Sequence, residues 1–123
     1  KNFGPVSFYS WPIFKNFRKK SLFKKVKNYS SSINYYCKKH GFPDFLLIDG
    51  RCRVLCALMV HDCLIKYKKK NFNIIIDDYK NRKHYSDISH FFHVKTIGRF
   101  GVINKLKKIN INNIIKKYEY DFR

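Results

Sequence analysis

Four cysteines, Cys37, Cys52, Cys56 and Cys63, are the first residues to weigh for chemistry, because thiolates at short regular spacing hold zinc. Their spacing does not suit it. There is no C-x-x-C, only Cys37-x-x-His40, and Cys56 and Cys63 fall inside one helical pattern, where a free cysteine behaves as a small hydrophobe. Buried structural thiols, a reducing compartment and no metal are the expectation. Five histidines, with His90 and His93 close together, offer bases, but transfer or hydrolytic chemistry needs a nucleophile, a base and an orienting group together. Asp77-Asp78 is a candidate carboxylate pair, although adjacent acids at a strand end usually mark a solvated turn. No G-x-S-x-G, H-E-x-x-H or glycine-rich phosphate loop occurs. The residues therefore predict no catalytic group, no small-molecule substrate and no cofactor.

The basic residues are a stronger signal. They recur at 15–27, 66–70, 80–84 and 105–108, interleaved with Phe and Tyr. Neutralising a phosphate releases its counterions, and aromatic rings stack on unpaired bases, so this pattern suits a polyphosphate. The expected contacts are Lys15, Arg18, Lys19, Lys20, Lys24 and Lys25 in the N-terminal stretch. In the remainder they are Lys66, Lys68, Lys69, Lys70, Arg82, Lys95 and Arg99. Charge dispersed in this way fits immersion in nucleic acid better than one recognition helix.

The elements that must position these groups follow from periodicity. Phe45–Ile48 and residues 72–76 are short apolar runs bounded by turn formers, hence strands. Between them Val54, Leu55, Leu58, Met59, Asp62 and Ile65 recur at helical spacing. Strand, helix, strand with such a crossover predicts a parallel βαβ unit, so the fold class is α/β: a small parallel or mixed sheet flanked by helices. A short helix is expected around 85–92, and another over 112–118 with Asn112 as cap. Earlier, Ser30-Ser31-Ser32 offers a cap for residues 33–40, closed by Gly41-Phe42-Pro43. No run approaches the roughly 18 apolar residues that span a bilayer, so an integral membrane protein is not expected.

Charge divides the chain. Across 123 residues there are 27 Lys and Arg against 8 Asp and Glu, a formal +19, which repels itself without an anionic partner. Residues 1–43 carry 10 of the bases and no acid, and the remainder carries 17 bases with all 8 acids. The division predicts a basic N-terminal extension, 1–43, before an α/β domain, 44–123. Such an extension reads either as a transit peptide or as an anion-binding arm. Its broken stripe of Phe14, Phe17, Leu22, Phe23 and Val26 also leaves open a basic helix lying on a membrane surface. The excess of Lys, Ile, Asn, Phe and Tyr over a single Ala reflects an AT-rich gene.

The segment Leu47-Ile48-Asp49-Gly50 followed by Arg53-Val54-Leu55-Cys56-Ala57-Leu58 resembles the strand, turn and first helix of the large-subunit ribosomal protein thirteen family. Asp49, Gly50, Leu55 and Leu58 match its spacing, while Cys52 and Cys56 replace Gly and Ala57 replaces Arg. Asn73-Ile74-Ile75-Ile76-Asp77 is similar to its second strand, and residues 92–98 to its histidine-containing loop, through His93 and Gly98. Residues 110–118 resemble its late helix through Asn110, Ile114 and Ile115. The resemblance implies a non-catalytic structural constituent of an organellar large ribosomal subunit, in the mitochondrial matrix. It would contact ribosomal RNA and neighbouring ribosomal proteins. The competing classes are a basic peripheral or assembly subunit of an organellar membrane complex, a small-subunit ribosomal protein, and a small enzyme or zinc protein.

Overall fold

A computed structural model describes residues 27–119 and 121. Helix α1, Ser32–His40, buries Ile33 and Cys37 on one face, in line with Tyr29 one turn earlier. Its serines do not cap it as expected. Ser31 occupies the cap position without a side-chain cap bond, and Ser32 Oγ instead donates to the Tyr29 carbonyl at 2.8 Å. Gly41, at φ 76°, ends the helix, and the Gly41 N–H closes on the Cys37 carbonyl at 2.8 Å. Because Tyr29, Ile33, Cys37 and Phe42 join the same core as the later elements, that core reaches back across the 43/44 charge boundary.

Strand β1, Phe45–Ile48, runs parallel to β2, Asn73–Ile76, pairing Leu46 with Ile74 and Ile48 with Ile76. Helix α2, Arg53–Lys66, connects them as the βαβ periodicity predicts. It buries nine residues, Val54 to Leu58, Val60, His61, Cys63 and Leu64, because α1, a 3-10 segment over Lys83–His90 and the C-terminal helix α3, Asn112–Tyr118, pack around it in addition to the sheet. Asn112 is the first residue of α3 and not its cap. Ile111 holds the cap position, and the Asn110 side chain before it takes up one free helix-start donor, its Oδ1 accepting from the Asn112 N–H at 3.0 Å.

Two strands complete the sheet. Strand β3, Phe92–Ile97, and strand β4, Phe100–Leu106, form a hairpin whose turn uses Gly98 at φ 58°. The sheet order is β1-β2-β4-β3, so β4 inserts antiparallel between β2 and β3 and makes the sheet mixed. Residues 92–98, likened above to a loop, are thus a strand and its turn, with a bulge between His93 and Val94. Among the described residues no helix is long and apolar enough to cross a membrane.

Candidate functional site

Parallel strands point their carboxyl ends the same way, and in open α/β sheets ligands gather beyond those ends. Here both strands run directly into acids: β1 into Asp49, β2 into Asp77 and Asp78. Arg53, the first residue of α2 and only 12% exposed in its side chain, stands among them. Its Nε donates to the Gly50 carbonyl at 2.8 Å, Nη1 to the Asp77 carbonyl at 2.5 Å and Nη2 to Asp49 Oδ1 at 3.2 Å. Asp78 Oδ2 lies 3.9 Å from Nη1. One planar, permanently charged group therefore ties the end of β1 to the end of β2.

Arg99, from the β3–β4 turn, completes the cluster. It grips the buried Asp77 carboxylate with two parallel bonds, Nε to Oδ1 at 2.8 Å and Nη2 to Oδ2 at 2.9 Å. Its carbonyl accepts from the Tyr79 N–H at 2.9 Å, so the loop after β2 is stitched to the hairpin turn. Arg82 reaches Asp78 Oδ2 at 3.5 Å, and the guanidinium groups of Arg53 and Arg82 lie 5.7 and 6.0 Å from the Tyr85 ring centre. Burial pushes the Tyr79 phenol up in pKa.

The backbone here is held in uncommon conformations. Cys52 at φ 55°, Asp78 at φ 52° and Asn81 at φ 69° lie in the two loops of this cluster, and all three are non-glycine residues in the left-handed region. Such conformations persist where surrounding contacts over-determine them, and they concentrate at functional sites. Asp77 Oδ1 accepting the Asp78 N–H at 2.8 Å is one of those contacts.

The sequence-derived contacts fall in different places. Lys15, Arg18, Lys19, Lys20, Lys24 and Lys25 lie outside the described residues. Arg82 and Arg99 join the carboxyl-end cluster, while Lys95 is exposed on β3. Lys66, at the end of α2, sits 5.8 Å from the Tyr67 ring centre, and Lys68, Lys69 and Lys70 form the loop beyond, at the other end of the sheet. Of the family-motif residues, Asp49 and Gly50 bind Arg53, Leu55 and Leu58 are core, His93 is exposed at the bulge, and Gly98 turns the hairpin. Arg53, Tyr79 and Tyr85 escaped the sequence reading, and Asp77 and Asp78 were read as a solvated turn. A signal for them existed: two strands expected to be parallel are each followed directly by Asp.

The cysteines are all free and buried, as expected of structural thiols. Desolvation pushes Cys52 and Cys63 up to about 12 and raises Cys56 and Cys37 as well, so none is a thiolate at neutral pH. Cys63 Sγ donates to Asn34 Oδ1 at 2.6 Å, joining α2 to α1. Among the described residues no group of three or more His, Cys, Asp or Glu is arranged to hold a metal ion. The buried His61 ring, bonded through Nε2 to the Lys107 carbonyl at 2.7 Å and edge-on to Phe91 and Phe92, is an internal tie.

No protein-family model and no curated protein matches the chain. Among solved structures it is similar to a methyltransferase-like protein from Silicibacter pomeroyi, with a TM-score of 0.65 and 21% identity, over 97% of this chain and 58% of that one. The chain thus spans less than two thirds of that structure's length. At this identity the likeness is one of fold. It corrects two expectations. The fold it shares with that protein overturns the reading of the chain as a structural ribosomal constituent, and with it the expectation that the chain is no enzyme. The physical reason is that the residues carrying the ribosomal resemblance hold positions common to βαβ units: a strand end, a turn, and two buried helix positions.

Proposed function

We propose that the chain forms part of a methyl-transfer enzyme, with its reacting face at the carboxyl ends of β1 and β2. The observation that carries this is the coincidence of two facts: the fold is shared with a methyltransferase-like protein, and the acids and guanidinium groups gather where such a sheet places its ligands. A hydroxyl or protonated nitrogen that gains a methyl group gives up a proton. Asp49 and Asp78, with side chains 37% and 41% exposed, are the carboxylates placed to accept it. Arg82 and Arg99, 49% and 63% exposed at the same face, would orient an anionic acceptor.

The described residues meet only part of what a nucleoside methyl donor needs. Close approach of such a group calls for a glycine-rich turn and an acid free to receive ribose hydroxyls. The turn after β1 has one glycine, Gly50, and of the two acids after β2 Asp77 is buried and doubly bonded to Arg99 while Asp78, 41% exposed, is paired with Arg82. The role proposed for these residues is accordingly on the acceptor side, in proton removal and orientation. The test is transfer of a labelled methyl group from S-adenosylmethionine into anionic small molecules, using the full-length protein. Label should enter the acceptor and fall about 100-fold or more in Asp49→Asn or Asp78→Asn. No transfer by the wild-type protein would sink the reading.

A further inference from the structure

At the opposite end of the sheet, where the parallel strands begin, lies a groove of about 680 Å³. Leu64, Ile65, Phe72, Leu106 and Ile109 make it apolar, and Ile65 and Ile109 remain 44% and 42% exposed. Around it stand Lys68, Lys69 and Lys70 from the loop after α2, and Lys105 and Lys108 from the end of β4 and beyond. Two basic runs that are far apart in sequence thus converge on one apolar cleft. Lys69 is paired with Asp44 at 2.7 Å, and among the described residues no carboxylate pairs with the other four.

The lysine loop is built, not loose. The Tyr67 N–H bonds the Cys63 carbonyl at 2.9 Å, Lys68 N–H that of Ile65 at 3.3 Å and Lys69 N–H that of Leu64 at 3.2 Å. Lys68 takes φ 51°, a helix-ending conformation that favours glycine, yet a lysine occupies it. A strained conformation kept by a charged residue at the rim of a cleft signals a use for that charge.

We propose that this groove binds an anionic amphiphile, an acyl chain ending in a carboxylate or phosphate, as a single molecule. The aliphatic floor takes the chain, and the lysines, their stems lying along apolar surface, present their ammonium groups to the head. Nucleic acid fits less well. The one ring among the lining residues, Phe72, is 5% exposed and gives a base no platform on which to stack. The groove is remote from the carboxyl-end cluster, so its occupancy does not depend on the methyl-transfer reading.

Calorimetry of the full chain with decanoate, decanol and a ten-residue oligouridylate tests this. Decanoate should bind with one-to-one stoichiometry, and decanol at least about tenfold more weakly. The double change Lys105→Glu and Lys108→Glu, and separately Ile109→Asp, should each weaken decanoate about tenfold or more without altering the melting temperature, since all three side chains are exposed. Lys68→Gly should raise the melting temperature while weakening decanoate, which a purely structural loop would not do. Equal binding of decanol, decanoate binding indifferent to Ile109→Asp, or displacement of decanoate by the oligouridylate would each overturn the proposal.

Discussion

Arg99 and Asp77 form the most informative contact in the molecule. The carboxylate is buried, and both its oxygens bond the guanidinium, at 2.8 and 2.9 Å. Arg99→Ala leaves a buried acid without that partner. A loss of about 1 to 3 kcal/mol in denaturant unfolding is expected, toward the lower end because the arginine side chain is 63% exposed. Arg99→Lys should recover little of it, because an ammonium cannot supply two parallel bonds to one carboxylate. The acids themselves were visible in the sequence as the residues directly after two strands. The partners of Asp77 were not, because Arg53 and Arg99 lie 24 and 22 positions away and nothing in local spacing pairs them with it.

Among the elements, β4 has the most consequence. It separates β2 from β3 and carries Gly101 opposite Ile76, where a Cβ would lie 2.8 Å from Tyr79 Cγ. Gly101→Ala must push Tyr79 and the loop after β2 aside, and a cost of about 1 to 3 kcal/mol is expected in thermal unfolding. Tyr79→Ala in the same protein should recover part of it. Helix α3 is held differently. Its Lys117 bonds Asp87 of the 3-10 segment at 2.7 Å, and the Tyr118 hydroxyl donates to the same oxygen. These bonds, Lys117 first, hold the Asp87 carboxyl below its ordinary 3.8. A depressed folded-state pKa means the contribution is fully present above the unfolded value and is lost as pH falls through the folded one. Stability should therefore decline on acidification below about pH 4, and Asp87→Asn should flatten that limb of the curve.

At the scale of the whole molecule, one core takes residues from every described helix and strand, from Tyr29 to Tyr118. The four thiols report on its integrity. Neutral and buried, they should resist iodoacetamide in the native state and label together at the rate of global unfolding, as followed by mass spectrometry across a denaturant series. Staggered labelling, with one thiol far ahead of the rest, would show that the core opens in parts.

By itself the sequence determined what neighbouring residues can encode. The two parallel strands, the helix between them, the burial of the cysteines and the surplus of charge all follow from periodicity and composition over short windows. Only the tertiary structure decided that β4 enters between β2 and β3, that Arg53 and Arg99 meet the acids at the strand ends, and that two lysine runs border one apolar groove. Those outcomes depend on which distant surfaces bury each other. A hydrophobic alternation or a charge run is compatible with many such pairings until the chain closes on one of them.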